Sequence, residues 1–184
     1  MYKKLIIIFF FCSAVIAGQG VKLGFRLEPG AVFTEYKGDK DVSPFFYGFK
    51  ANIMIEPESY WGIEIQPGLM LVNDQLLGFE IGSFAKVNIL SPDFALLLGL
   101  SNFFNREISG RFSGGYGKHF VFYGVGAGYQ VNSKLRLDLM YYRPDTKEYA
   151  YVLEPDETGY RKVNKKINGI VRVAFNLAFE IISF

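Results

Sequence analysis

The strongest constraint on this chain is an alternation of apolar and polar residues that recurs along most of its length. In Trp61-Gly62-Ile63-Glu64-Ile65-Gln66 the odd positions are large and apolar, and the even positions are small, polar or charged. Successive side chains of a strand point to opposite faces, so a period of two gives each strand one apolar wall and one polar wall. Eight segments read this way: 21–33, 45–55, 60–71, 77–89, 94–101, 120–131, 135–142 and 167–181. In the first, Val21, Leu23, Phe25, Leu27, Ala31 and Phe33 oppose Lys22, Gly24, Arg26, Glu28 and Gly30. Segment 94–101 is apolar on both faces and its phase stays open.

Half of the residues are hydrophobic, yet nothing after the first residues resembles a transmembrane helix. A closed sheet resolves the tension, because it spreads its apolar residues over every second position. The connections alternate in length. Short turns at Glu56-Pro57-Glu58-Ser59, Leu90-Ser91-Pro92-Asp93 and Val131-Asn132-Ser133-Lys134 are built from turn formers. The other end has long loops at 34–44, 102–119 and 143–166, and a short one only at 72–76. Short periplasmic turns and long extracellular loops are the outer-membrane pattern.

A soluble barrel would turn the same alternation inside out. Three features favour lipid outside. The apolar face is nearly free of charge, the polar face is rich in glycine, and Tyr47, Trp61, Tyr123 and Tyr141 lie on the apolar face near strand ends, as an aromatic girdle does. The expectation is an all-β fold, an eight-stranded antiparallel up-and-down transmembrane β-barrel. Pro29 and Pro67 fall within strands and imply lost ladder hydrogen bonds or bulges.

Met1-Tyr2-Lys3-Lys4 followed by an apolar run and small residues at Ala14, Ala17 and Gly18 reads as a signal peptide over 1–18, leaving 19–184 as the barrel domain. The apolar run is shorter than the ~20 residues that span a bilayer. Cys12 is the only cysteine and lies in this leader, so the exported chain has no disulfide, cysteine nucleophile or thiolate metal site. Phe9-Phe10-Phe11 precedes Cys12 where a lipid-attachment box needs small residues. The net charge of +2 with no basic block gives no indication of nucleic acid binding.

With the polar face inside, the lumen holds a charge network. Its basic members are Lys22, Arg26, Lys50, Lys86, Arg136 and Arg172; its acidic members are Glu28, Glu56, Glu64, Glu80, Asp138 and Glu180. Unpaired buried charge is costly, so six against six suits a closed, poorly hydrated tube. An eight-stranded interior is about filled by side chains, which favours a static salt-bridged plug over an ion path. Inward Gly48, Gly62, Gly82, Gly124, Gly126 and Gly128 make room for larger neighbours.

No cofactor is expected, and no cluster with metal-ligand spacing is visible. Gly124-Val125-Gly126-Ala127-Gly128 has neither the spacing nor the following helix of a phosphate loop. His119, the only histidine, shares a loop with Ser113 and Glu107, but no local spacing brings the three together as a triad. The loop 143–166 contains the strand-like Tyr149-Ala150-Tyr151-Val152-Leu153, which is either an adhesive edge or a solvated loop with a tyrosine-rich base.

Gly20-Val21-Lys22-Leu23-Gly24-Phe25, Phe79-Glu80-Ile81-Gly82-Ser83-Phe84-Ala85-Lys86, Gly124 to Tyr129, and Leu135-Arg136-Leu137-Asp138-Leu139-Met140-Tyr141-Tyr142 resemble strands of the PorT-like outer-membrane β-barrel family, often labelled porin-family proteins. Gly82 stands where that family commonly has Pro. The chain is more distantly similar to small barrels of the outer-membrane protein A and X type. Phe184 fits their C-terminal aromatic, although it is out of phase with Phe175, Phe179 and Ile181, so the last strand ends early or bulges. The resemblance implies a barrel in the cell outer membrane and does not imply transport.

The sequence therefore reads as a monomeric, non-enzymatic outer-membrane barrel with a structural or surface-interaction role. Its partners are outer-membrane lipids and lipopolysaccharide, the barrel insertion machinery, and a surface protein that the sequence does not name. A narrow porin-like channel is the second reading and a lipid A-modifying enzyme the third.

Overall fold

The computed structural model describes residues 20–58, 60–89, 91–157 and 159–183. The expected signal peptide with Cys12, and Phe184, lie outside the described residues. The chain is all-β. Its strands are β1 (Gly20–Leu27), β2 (Gly30–Tyr36), β3 (Asp39–Phe45), β4 (Tyr47–Glu58), β5 (Trp61–Asn73), β6 (Leu76–Asn88), β7 (Phe94–Asn105), β8 (Ile108–Ser109), β9 (Ser113–Gly115), β10 (His119–Gln130), β11 (Leu135–Pro144), β12 (Glu148–Asp156) and β13 (Gly159–Ser183).

All pairings are antiparallel. Neighbours run from β1 through β4, β5, β6, β7, β10 and β11 to β13, and the far edge of β13 pairs back with β1. The sheet therefore closes on itself, which removes the open edge that lipid would not tolerate. Strands β4, β5, β6, β7 and β10 run 12, 13, 13, 12 and 12 residues, enough for the ~9–11 residues of a tilted membrane-crossing strand.

Side-chain direction follows the alternation. Phe25, Leu98 and Leu139 are 54%, 66% and 58% exposed on the outside, whereas Arg26, Glu64 and Glu80 inside are fully buried. On β7, Phe94, Leu96, Leu98 and Leu100 face out, and Ala95 and Leu97 face in.

Among the described residues thirteen strands appear where eight segments are expected, for local reasons. Pro29 has no N–H to give, so the first segment breaks into β1 and β2; Val173 N–H still donates to Pro29 O at 2.9 Å. Opposite it, Leu27 pairs with Phe49 but Gly30 pairs with Phe45, so the other side carries one extra residue. Phe46 and Tyr47 are consequently both exposed, as at a bulge. Segment 34–44, expected as a loop, continues the ladder as β2 and β3. They are joined by Lys37-Gly38, where φ values of 54° and 90° make a two-residue hairpin turn. The 143–166 loop likewise forms β12 and the start of β13. Pro67 pairs with Ile81 across β6, while the β4–β5 ladder skips the positions facing it.

Asn side chains set the tight turns. Asn132 Oδ1 accepts from the N–H groups of Lys134 (2.9 Å) and Leu135 (3.0 Å), and Asn73 Oδ1 does the same for Gln75 (2.9 Å) and Leu76 (3.0 Å). At the C-terminal end, Val21 pairs with Ile182 but Lys22 with Glu180, so β13 bulges there.

The outward Leu139 gives a direct test of which face meets lipid. Leu139→Arg is expected to lower folding stability in lipid vesicles by ~2–4 kcal/mol, read from urea titrations. A change near zero would mean that water bathes this face.

Candidate functional site

Inside the closed sheet the charged residues form one continuous ladder of alternating sign. Arg136 on β11 reaches across the lumen to Glu64 on β5 with both terminal nitrogens, at 2.6 and 2.9 Å, and its Nε donates to Asp138 at 2.7 Å. Asp138 also accepts from Arg26 on β1, which in turn donates to Glu28. Glu28 accepts from Lys50 on β4 at 2.9 Å and from Arg172 on β13 at 2.7 Å. Lys50 and Arg172 both continue to Glu80 on β6, at 3.1 and 2.9 Å, and Ser101 on β7 donates to the same carboxylate. The cations Arg26, Lys50, Arg136 and Arg172 thus balance Glu28, Glu64, Glu80 and Asp138, and all eight are buried. The two planar Arg136–Glu64 bonds form the fork geometry in which guanidinium holds carboxylate best.

A second group sits at the short-turn end. Glu56 accepts from Lys22 at 2.6 Å and from Lys86, in a cavity of about 690 Å³. Glu180 lines that cavity but is exposed, and it makes no ion pair with a described residue. In the strand ladder it pairs with the inward-facing Lys22, and the bulge of β13 falls one residue beyond it, at Ile181.

The ladder leans on an aromatic wall. Arg172 lies over the ring of Tyr142 at 4.4 Å, and Phe84 meets Tyr142 edge-on at 6.1 Å. Phe84 fits because its neighbours have no side chain. A Cβ on Gly82 would come within 2.6 Å of the Phe84 ring, one on Gly99 within 2.7 Å, and one on Gly124 within 2.8 Å. A Cβ on Gly128 would lie 3.2 Å from Arg136 Cδ, so this glycine leaves the space that Arg136 uses.

Toward the long-loop end the lumen turns apolar, a layer the sequence reading missed. Phe103, Phe120 and Phe122 pack together with centroids 6.1–6.3 Å apart, alongside Val32, Met70, Leu76 and Ile170. Above them the loops fold over the opening. Asn105 Nδ2 donates to the carbonyls of Gln75 (3.1 Å) and Tyr116 (2.7 Å), while its Oδ1 accepts from Leu77 N–H (3.1 Å). Tyr116 donates to Asn164 at 2.7 Å, and Lys165 donates to Gln75 Oε1 at 3.1 Å. Tyr149 is buried beneath, and burial pushes its hydroxyl up to about 12. At the rim, Lys37 (2.6 Å) and Tyr36 hold the Glu154 carboxyl below its ordinary value by hydrogen bonding.

The edge of β12 is already occupied: Ala150, Tyr151 and Val152 pair with Gly115, Gly114 and Ser113 of β9. His119 Nε2 pairs with Asn102 Oδ1 at 3.0 Å and its ring stacks on Phe104 at 4.9 Å. Ser113 faces Val152 across strands, and the Glu107 side chain lies close to Gly117. Among the described residues no group of His, Cys, Asp and Glu is arranged to hold a metal.

No family model matches this chain, and no curated protein matches it in sequence. Solved structures do resemble it. The outer membrane protein OprG from Pseudomonas aeruginosa matches with a TM-score of 0.50 at 11% identity, over 89% of this chain and 98% of OprG. Ail, the attachment invasion locus protein of Yersinia pestis, in complex with the heparin analogue sucrose octasulfate, gives 0.47 at 12%, over 87% and 99%. The N-terminal β-barrel domain of Pseudomonas aeruginosa OprF gives 0.46 at 12%, over the same shares. The likeness to OprG concerns architecture. With the apolar exterior and ionic interior, it makes this the fold of an outer-membrane β-barrel.

Arg136→Met strands Glu64 and half of Asp138, and should cost ~3–5 kcal/mol in urea unfolding from vesicles. Arg136→Met combined with Glu64→Leu should recover much of that loss, because no uncompensated charge remains at the fork. Losses that simply add would show that the pair is not coupled.

Proposed function

We propose that the chain is a monomeric, eight-stranded transmembrane barrel of the outer membrane that conducts nothing and works through its loop-side crown. The eight strands are the ring of β1, β4, β5, β6, β7, β10, β11 and β13, with β2 and β3 extending the first hairpin above the bilayer. The single observation that carries this reading is that the lumen is filled from its middle to its loop side: the ionic ladder, then the Phe103–Phe120–Phe122 layer, then the Asn105-centred lid. A tube plugged in three ways leaves the crown of β8, β9, β12 and the β2–β3 hairpin as the part that meets other molecules. The role is structural or surface-interacting, without catalysis. The side chain of His119 is engaged by Asn102 and Phe104, which supports that part of the reading. Outer-membrane lipids, lipopolysaccharide and the barrel insertion machinery are its partners during assembly and residence. The strand sequences quoted above support a PorT-like relationship.

A narrow channel is the second reading. It draws on the open cavity of about 690 Å³ at the short-turn end, which reaches the lumen up to Lys22, Glu56 and Lys86.

Planar-bilayer recording separates the two. Purified barrel should give no steady single-channel steps, and steps of uniform size would overturn the plug. Expression should leave the lipid A mass profile unchanged; a new mass that disappears in His119→Ala would establish an enzyme instead.

A further inference from the structure

The outer wall carries a feature that the plugged lumen does not use. On the β7–β10–β11 face a groove of about 580 Å³ runs between Leu98 and Leu100 on one side and Tyr141 on the other, with Val125 in its floor. Its rows follow from register: Leu98, Val125 and Tyr141 lie side by side, and Leu100, Tyr123 and Arg143 form the row above. The groove is apolar except at its loop-side end, where Arg143 stands. Beyond Tyr141 and Arg143, which wall both spaces, lies a second depression of about 570 Å³. Lys40 and Lys147 line it together with Arg143.

Its two carboxylates accept hydrogen bonds from neutral donors, which do not offset their charge. Glu35 Oε2 accepts from Asn168 at 3.3 Å, and Asp41 Oδ1 accepts from the N–H of Val42 at 2.8 Å. The adjacent Asp145 Oδ1 is taken by the N–H groups of Val121 (3.0 Å) and Thr146 (2.6 Å). Among the described residues, none forms an ion pair with Arg143, Lys147 or Lys40. Three exposed cations against two carboxylates leave the lining at the head of a greasy slot net positive, on the loop side and hence at outer-leaflet depth. Apolar burial draws an acyl chain into the slot, and cations at its head attract phosphate.

We propose that this face is a specific site for a phosphorylated glycolipid of the lipid A type: one acyl chain lies over Val125 between Leu98 and Tyr141, and a phosphate sits against Arg143 and Lys147. The proposal rests on the membrane reading above and names the lipid and the face. The loop-side depth of the cations, where the outer leaflet lies, is what favours a lipid A-type head group over a glycerophospholipid.

The test is native mass spectrometry of the folded full barrel in detergent, titrated separately with lipid A, with dephosphorylated lipid A and with phosphatidylglycerol. Heat-dependent electrophoretic mobility confirms that each variant is folded. Lipid A should bind saturably, and Arg143→Glu combined with Lys147→Glu should weaken it by at least about tenfold. Removing the phosphates from the lipid should have a similar effect. Val125→Trp, which fills the slot without touching the cations, should weaken it as well. Equal binding by wild type and the double variant overturns the site. Phosphatidylglycerol binding as tightly as lipid A overturns the choice of lipid, and a barrel dimer masking this face overturns the occupant. The first two results on a folded, non-conducting barrel leave the function proposed above standing, whereas a dimer also overturns its monomeric state.

Discussion

Everything in this barrel depends on the ionic ladder from Glu64 through Arg136, Asp138, Arg26 and Glu28 to Glu80. Charges moved from water into a narrow tube are stable only when each is matched and hydrogen-bonded. Here the matching is cross-lumen: Arg136 joins β11 to β5, and Arg172 joins β13 to β6. The ladder therefore ties together strands that share no backbone hydrogen bonds, and it fixes their relative heights. A register slip of one residue would put these charges in lipid and the leucines in the lumen. The glycines around Phe84 and Arg136 are part of the same arrangement, because the ladder and its aromatic wall fill the space that their missing side chains leave.

The filling is graded along the axis. Ion pairs occupy the middle and the short-turn end, aromatic rings the upper half, and hydrogen-bonded loops the top. The grading divides the labour of the two ends. The short-turn end keeps an open, charged cavity around Glu56, while the loop end is a crown held by Asn105, Tyr116 and Lys165. Hydrogen bonds and the β9–β12 pairing tie the segments of this crown to one another.

Much of this was legible in the sequence, because the alternation carries its own physical meaning. Lys22, Gly24, Arg26 and Glu28 share a face by period alone, and the near balance of charge signs implied pairing. Three things were not legible. Residues 34–44 are polar on both faces, so no alternation marks β2 and β3, and only the Lys37-Gly38 turn hints at a hairpin. Phe120 and Phe122 alternate with Val121 and Tyr123, so both faces read as apolar and the inner aromatic layer is invisible without burial. The partners within the ladder, and the lid hydrogen bonds of Asn105 and Gln75, depend on which strands oppose across the lumen, and periodicity does not encode that. The bulge at Ile181 had one trace in the sequence, the phase mismatch of Phe184 with Phe179.

The length of β13 has a consequence for how such a molecule comes into being. Its 25 residues form the common border of β12, β11, β2 and β1, and the oldest and youngest parts of the described chain meet along it. Contacts so distant in sequence are slow to form, since a long loop must close before they give any return. Until that seam zips, Glu28 and Glu80 lack the guanidinium of Arg172 and share only Lys50, with Arg26 on Glu28. The last strand to be made thus both closes the sheet and completes the pairing of its buried charges.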